Sequence, residues 1–134
     1  MRSDLQQKLF ADYPAIFAQK DLPMNQTAMC WGIDCGDGWY DLIDTLCSSI
    51  QQHIKYGNNV PQVEAVQVKE KFGGLRFYID GGDDEINGMI RMAEAMSYRI
   101  CETCGCPGRP NEAGWISTQC ESCRNPAPAN DGEE

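Results

Sequence analysis

Two closely spaced pairs of cysteines constrain this chain more than any other feature of its sequence. Cys101 and Cys104 form one C-x2-C pair, Cys120 and Cys123 form another, and fifteen residues separate the pairs. Two residues between thiols allow one tight turn to direct both sulfurs at the same tetrahedral ion. The spacing of the two pairs matches a zinc signature. We therefore predict one structural Zn²⁺ ion bound by these four side chains.

Cysteine usage also indicates the cellular compartment. The chain has eight cysteines, and five of them lie between Cys101 and Cys123. The segment 1–20 has no continuous apolar stretch and no small-residue cleavage site, so we expect no secretory signal. In a reducing compartment, thiols bind metal ions more often than they form disulfides. We therefore expect a cytoplasmic protein.

The remaining cysteines leave alternatives open. A redox C-x2-C motif normally stands at a helix start after a strand, whereas Cys101 follows a predicted helix, so we favour the metal site. Cys106 lies two residues past Cys104 and could replace a ligand, although a nearby non-ligand thiol is the simpler interpretation. Cys30 and Cys35 could supply half of a second site, but its other ligands are missing. We interpret both as buried structural thiols.

Apolar periodicity predicts three helices. The first lies within residues 1–20, with Ser3 as its cap, and Pro14 ends or kinks it before a restart at 15–18. The second spans residues 39–56 and carries its apolar side chains on one face, Cys47 among them. The third spans residues 83–98, with Asp83 as its N-cap.

The segment 60–80 predicts a β-hairpin. Its first strand covers about residues 62–70, and its second strand, 75–80, alternates apolar and polar side chains. Gly73 and Gly74 supply the positive φ angles of the turn. The fold class is therefore α+β: a small single domain with two to three helices, a β-hairpin or small antiparallel sheet open to a third strand, and a C-terminal zinc-ribbon or knuckle element.

We divide the chain into three parts. Residues 1–100 form the α+β core, and residues 101–124 form a zinc-binding element packed on it. Residues 125–134 are an acidic tail without a large apolar residue, so we expect disorder there. Inside the zinc-binding element, we predict that Trp115 covers a small core at the start of a short strand, 115–118.

Charge and residue content narrow the function classes. The formal net charge of −9 repels nucleic acid and anionic lipid at long range, and no run reaches the ~18 apolar residues of a membrane span. A four-thiolate site leaves no open position for a substrate, and His53 is the only histidine, so we predict no catalytic residue and no enzyme. An acidic run is interpreted as a solvated helix start, not a divalent-metal site: Asp34, Asp37, Asp41 and Asp44.

One basic cluster keeps a nucleic-acid function open. It surrounds the predicted turn and mixes cations with aromatic rings: Lys69, Lys71, Phe72, Arg76, Phe77 and Tyr78. Such a hairpin can contact a phosphate or stack on a base. We favour the alternative that its charge protects an edge strand from aggregation.

Two segments of the chain resemble a known group of sequences. Residues 69–78 read KEKFGGLRFY, and the segment CETCG begins at Cys101. The combination resembles a family of small uncharacterised phage, prophage and bacterial proteins with a KFGGLRFY-like hairpin and a C-terminal CxxCG zinc element. The resemblance covers about residues 30–124. It implies a cytoplasmic, phage-encoded protein and no particular activity. Members tend to have a histidine near the last cysteine, where this chain has Asn125.

These observations predict a non-catalytic structural-zinc protein that acts by binding another protein. If the resemblance holds, it is a phage-encoded modulator of a host protein and acts in the host cytoplasm. We expect a protein partner, and neither nucleic acid nor a membrane. The alternatives are a nucleic-acid-binding zinc module that uses the hairpin from Lys69 to Tyr78, and an acidic mimic of DNA.

Overall fold

The computed structural model describes residues 1–127 of the 134-residue chain. Within this part it has four α-helices: α1 (Ser3–Asp12), α2 (Tyr40–Tyr56), α3 (Asp84–Ser97) and α4 (Glu121–Arg124). Its five strands are β1 (Ile33–Asp34), β2 (Glu64–Lys71), β3 (Gly74–Asp80), β4 (Arg109–Pro110) and β5 (Thr118–Gln119). Short 3₁₀ helices cover Ala18–Asp21, Met29–Trp31 and Asp37–Trp39. The α+β fold class is confirmed. Most of the predicted acidic tail, residues 128–134, lies outside the described residues.

The first helix begins without the predicted serine cap. Arg2 is the N-cap residue and Ser3 is already helical, with no side-chain cap hydrogen bond. The Oε1 atom of Gln6 accepts from the backbone N–H of Ile33 at 2.8 Å. The helix ends before Pro14, as predicted, but no α-helix restarts at residues 15–18. The prediction of Ser3 as the cap is wrong, because Ser3 already lies inside the helix and Arg2 occupies the cap position.

Helix α2 matches its prediction closely. It starts at Tyr40, one residue after the predicted start, and its inner face buries Ile43, Leu46, Cys47 and Ile50. Cys47 is fully buried, as expected of a core thiol, and burial raises its pKa far above the ordinary value. Helices α2 and α3 pack on each other and enclose the apolar core with the sheet.

The main sheet has three strands in the order β1-β2-β3 and is mixed. Strands β2 and β3 form the predicted antiparallel hairpin, with an irregularity between Ala65 and Gln67. The third strand, β1, pairs with β2 in parallel, so that Ile33 lies opposite Val68. We predicted a hairpin or an antiparallel sheet, whereas the observed sheet is mixed because β1 is parallel to β2. A two-residue strand carries too short a pattern to reveal its direction.

The hairpin turn lies one residue earlier than predicted. Phe72 and Gly73 occupy its two central positions with φ angles of 53° and 85°. Positive φ at both positions is typical of a type I′ turn, but it is rare for a bulky residue such as Phe. Gly74 instead belongs to β3 opposite Lys71, where the ring of Tyr98 leaves no room for a Cβ atom.

Side chains from α3 cover the outer edge of the hairpin. The backbone N–H of Leu75 donates to Ser97 Oγ at 2.9 Å, and that of Phe77 donates to Glu94 Oε2 at 3.0 Å. These bonds satisfy edge groups that would otherwise be free to pair with another chain. They also show that the main-chain groups of Leu75 and Phe77 point away from β2.

The only histidine joins two helices. His53, in the last turn of α2, places Nε2 2.7 Å from Asp83 Oδ2 and Nδ1 3.0 Å from Glu85 Oε2. Asp83 is the N-cap of α3, as predicted, because its Oδ1 accepts from the N–H of Ile86 at 2.9 Å. The side chain of His53 is largely buried by these contacts, with 15% of it exposed.

This arrangement predicts a pH-dependent contribution to stability. The hydrogen bond with Asp83 raises the pKa of His53, and the same bond lowers the pKa of Asp83. The histidine contribution is full below its unfolded pKa of about 6.5 and is lost as the pH rises through its folded pKa. The aspartate contribution is present above about pH 4 and is lost as the pH falls through its folded pKa. We expect His53→Gln to lower the urea midpoint more at about pH 5.5 than at about pH 8.5. Equal losses at both pH values would contradict the proposed role of His53.

No helix among residues 1–127 combines the length and apolar character needed to cross a membrane.

Candidate metal centre

The four predicted ligands come together in space. Cys101 and Cys104 lie in the turns that follow α3, Cys120 follows β5, and Cys123 is in α4. Their sulfur atoms all lie within 4.8 Å of one another. The Sγ atoms of Cys104 and Cys120, from different pairs, are 3.6 Å apart. These four cysteines could therefore hold one metal ion.

The geometry and the donor set fit a tetrahedral zinc site. Zinc–sulfur bonds of about 2.3 Å at tetrahedral angles place neighbouring sulfurs about 3.8 Å apart. The 3.6 Å between the sulfurs of Cys104 and Cys120 and the 4.8 Å limit for the whole cluster lie on either side of this value. Thiolates are soft ligands that suit Zn²⁺, and four of them leave no open coordination position. Cys101 is fully buried, while Cys104 lies on the surface, so the cluster has a protected side and a solvent side.

The backbone is arranged to stabilise a thiolate at Cys101. Burial raises the pKa of this thiol, but backbone N–H groups of Cys120, Cys104 and Thr103 directed at the sulfur outweigh burial and lower its pKa to about 6. The neighbouring sulfurs act in the opposite direction on Cys123. Hydrogen bonds with Cys120 and Cys104 hold its proton and raise its pKa to about 12. A divalent cation would remove this conflict, because it stabilises several thiolates in one place.

The other cysteines lie apart from the cluster. Cys106 is exposed and is not among the converging sulfurs, as the sequence interpretation favoured. Its carbonyl oxygen accepts from the N–H of Cys101 at 2.7 Å, so its backbone, not its thiol, shapes the turn. Cys35 is buried, and burial raises its pKa to about 12. Cys30 is half-buried. Within residues 1–127, neither belongs to a second group of converging ligands.

The first cysteine turn packs directly on the segment that precedes α2. The N–H of Gly38 donates to the carbonyl of Glu102 at 2.7 Å, and the N–H of Gly36 donates to Glu102 Oε2 at 2.9 Å. Indole Nε1 of the buried Trp39 donates to the carbonyl of Ile100, also at 2.9 Å. A Cβ atom on either glycine would fall less than 3.0 Å from backbone atoms of the turn. This contact surface was not predicted from the sequence, although two closely spaced glycines beside a tryptophan are typical of a close backbone contact.

The segment between the two pairs is anchored to the hairpin. Thr118 is buried, and its Oγ1 donates to the carbonyl of Gly73 at 2.6 Å. The carbonyl of Thr118 accepts from the N–H of Glu102 at 3.0 Å, which joins the segment to the first cysteine turn. Ile116 packs over Gly73 closely enough that a side chain there would collide with it. One short strand, β5, therefore connects the metal centre to the hairpin turn.

Asn111 organises the loop that precedes this strand. Its Oδ1 accepts from the N–H of Ser117 at 2.8 Å, and its Nδ2 donates to the carbonyls of Ala113 and Trp115 at 2.7 and 2.8 Å. Trp115 itself is 86% exposed, so the prediction that it covers a small core was wrong. The loop is held by polar contacts to Asn111, and the indole points to solvent.

The acidic run does not form a second centre. Asp37 accepts from the N–H of Arg2 at 2.7 Å, and Asp44 accepts from the hydroxyl of Tyr13 at 2.7 Å, so these carboxylates serve separate contacts. Within the described residues, the four cysteines are the one group of three or more potential ligands close enough to share an ion.

Comparisons with models of protein families, with curated proteins and with solved structures each found no match.

Proposed function

We propose that this chain is a non-catalytic protein that acts by binding another protein, with one structural zinc ion on Cys101, Cys104, Cys120 and Cys123. The convergence of four sulfurs within 4.8 Å carries the proposal. A site with four thiolate ligands has no open position for water or substrate, so its role is folding. By extension of the sequence resemblance, the protein is phage-encoded and modulates a host protein in the cytoplasm.

The lone histidine supports a role without catalysis. Both ring nitrogens of His53 face carboxylates, those of Asp83 and Glu85, and this pairing joins two helices away from the metal centre. A general base needs a free nitrogen within reach of a substrate proton. His53 has neither of its nitrogens free for this purpose.

The metal centre also has a clear structural task. The segment 101–124 contains little buried apolar surface of its own, with Cys101 and Thr118 as its buried residues. Elements of this size usually require a metal to fold. Once folded, the segment fixes both the start of α2 and the hairpin turn through backbone contacts. Zinc binding would thereby stabilise the surface around the turn.

Metal analysis of matched cysteine variants tests the zinc site. We expect one zinc per chain in the wild-type protein by mass spectrometry and its loss in Cys104→Ser and Cys120→Ser. The free energy of structural zinc binding is about 10 kcal/mol or more in small elements, so these variants should also lose the folded segment 101–124. Cys106→Ser is the control and should keep its zinc. No zinc in the wild-type protein, or loss of zinc from the control, would contradict the assigned ligands.

Nucleic-acid binding is the second candidate function, and one observation favours it. Lys69 and Lys71 form no salt bridge within residues 1–127, and the neighbouring Phe72 is 70% exposed. Arg76, however, donates to the hydroxyl of Tyr98 at 3.1 Å and to a backbone carbonyl, so it is already engaged. A gel shift that weakens as salt rises would support this function over the first.

A further inference from the structure

An apolar groove of about 180 Å³ lies between α2 and α3, and we call it the methionine groove. Leu46 and Ala93 are buried within it, whereas Met92 is 64% exposed and Met96 is 45% exposed. All of its lining residues are uncharged, although charged residues make up 23% of the chain. The lining residues are Leu42, Thr45, Leu46 and Ser49 from α2, and Met89, Met92, Ala93 and Met96 from α3.

Exposed methionines beside an apolar groove are typical of an interaction surface. Contiguous exposed apolar side chains are rare on a monomeric soluble protein, and flexible methionines are common where another chain binds. The two helices run antiparallel, because His53 in the last turn of α2 contacts Asp83, the N-cap of α3. Such a pair is half of a four-helix bundle, which a second antiparallel pair would complete.

The exposed residues of α3 form one stripe with charges of opposite sign at its ends. Alternating intervals of four and three residues, the spacing of a coiled-coil seam, separate Glu85, Met89, Met92, Met96 and Arg99. The N–H of Arg99 donates to the carbonyl of Met96 at 2.9 Å, so the last turn of the helix continues to this residue. Glu85 also contacts His53, but its side chain is 66% exposed and accessible to another chain.

This stripe is complementary to itself. Glu85 lies seven residues before Met92, and Arg99 lies seven residues after it. A two-fold axis at Met92 that places α3 antiparallel to α3 of a second copy therefore sets each Glu85 opposite an Arg99. Helix α2 has the same polarity, with Asp41 in its first turn and Lys55 in its last turn. Charge therefore favours a second copy of the chain as the occupant of the groove.

We propose that the methionine groove is the interface of a two-fold symmetric homodimer in which the helix pairs of two copies complete a four-helix bundle. The same patch then serves both subunits, as closed two-fold symmetry requires. The inference concerns a surface away from the cysteine cluster and does not depend on the proposed zinc ion or protein partner.

The size of the helical face predicts a weak dimer. Helices of 14 and 17 residues are about 21 and 25 Å long. Two helices side by side are about 20 Å wide, so both copies together would bury about 1,000 Å². This area is at the lower end for specific interfaces. We therefore expect a Kd in the micromolar range.

Analytical ultracentrifugation of the full-length protein tests the proposal. The concentration series runs from about 1 µM to about 300 µM, which spans the expected Kd. The 15.0-kDa chain should shift from its own mass to about twice that mass along the series. A chain that stays monomeric throughout would overturn the proposal.

Two methionine variants locate the interface. Met92→Glu should raise the Kd about tenfold or more, because the two new carboxylates would meet at the symmetry axis. The side chain is exposed, so the variant should remain folded. Met24→Glu is the matched control, since Met24 is 72% exposed and lies outside the groove. A dimer that survives Met92→Glu, or an equal loss in the control, would overturn the proposed interface.

Charge reversal tests the antiparallel register. Arg99→Glu should raise the Kd about fivefold, because it places two carboxylates opposite each other. The double variant Glu85→Arg/Arg99→Glu should restore dimerisation, since each pair is then reversed but still complementary. Urea unfolding of the same variants separates loss of the dimer from loss of the His53 contact. A double variant that remains as weak as Arg99→Glu would overturn the two-fold arrangement.

A different occupant would also be visible. If the chain stays monomeric while an amphipathic leucine–lysine helical peptide shifts the NMR amide signals of residues 89–96, the groove binds another protein and the homodimer is overturned. Metal analysis of the same samples reports separately on the zinc site, so failure of the dimer is distinguishable from failure of the proposed function.

Discussion

Gly38→Ala should destabilise the protein by about 3 kcal/mol and weaken the zinc binding that we propose. A Cβ atom at this position would lie 2.6 Å from the backbone nitrogen of Gly105 and even closer to the carbonyl oxygen of Cys101. Both atoms belong to the turn that carries the first two ligands, so the turn cannot move without displacing its sulfurs. The N–H of Gly38 also donates to the carbonyl of Glu102, and the displacement would break this bond.

Urea unfolding and zinc competition with a chelator measure the two effects. Gly88→Ala is the control, because Gly88 lies within α3 and an added Cβ would meet no atom within 4 Å. Replacing a helical glycine by alanine stabilises a helix by about 1 kcal/mol, so the control should shift the midpoint in the opposite direction. A Gly38→Ala protein with wild-type stability and zinc affinity would show that the turn does not pack on this segment as described.

Trp39→Ala should cost about 3–5 kcal/mol, because it removes the largest fully buried side chain of the core. The substitution would leave a cavity at the start of α2 and an unpaired carbonyl at Ile100, one residue before Cys101 of the cysteine cluster. We therefore expect both a lower unfolding midpoint and weaker zinc binding. Such coupled losses follow from the position of the indole between the core and the metal centre.

The other two tryptophans provide the comparison for this variant. Trp31→Ala and Trp115→Ala remove side chains that are 69% and 86% exposed, and each should change the free energy of unfolding by less than about 0.5 kcal/mol. Denaturant titration of the three variants measures the difference. Similar losses in all three would contradict the assigned burial of Trp39.

The burial of Trp115 could not be predicted from the local sequence. Its position inside a small cysteine-rich segment suggested a covering role, because small elements have few large apolar residues with which to build a core. In the structure, Asn111 holds the loop through polar contacts, Thr118 and Ile116 fill the space against the hairpin, and the indole remains exposed. Which of several apolar residues is buried depends on the surface that the segment meets, and that surface lies far away in sequence.

The hairpin turn also depends on a contact that is distant in sequence. The alternation of apolar and polar residues predicted both strands to within about two positions, because a half-buried strand has this alternation in its local sequence. The turn was placed on Gly73 and Gly74, the two residues with the lowest intrinsic cost at positive φ. Phe72 takes the first position instead, since Gly74 is needed where the ring of Tyr98 crosses β3.

The sequence alone determined the helices α2 and α3, the hairpin and the four converging cysteines. Each of these depends on spacing along the chain, which a helix, a strand or a cysteine pair converts directly into a face or a turn. Tertiary structure alone decided the parallel strand β1 and the packing of Gly36 and Gly38 on the cysteine turn. These features join segments more than thirty residues apart in the chain. Their contacts depend on how the helices and strands pack, and a local sequence pattern carries no information about that packing.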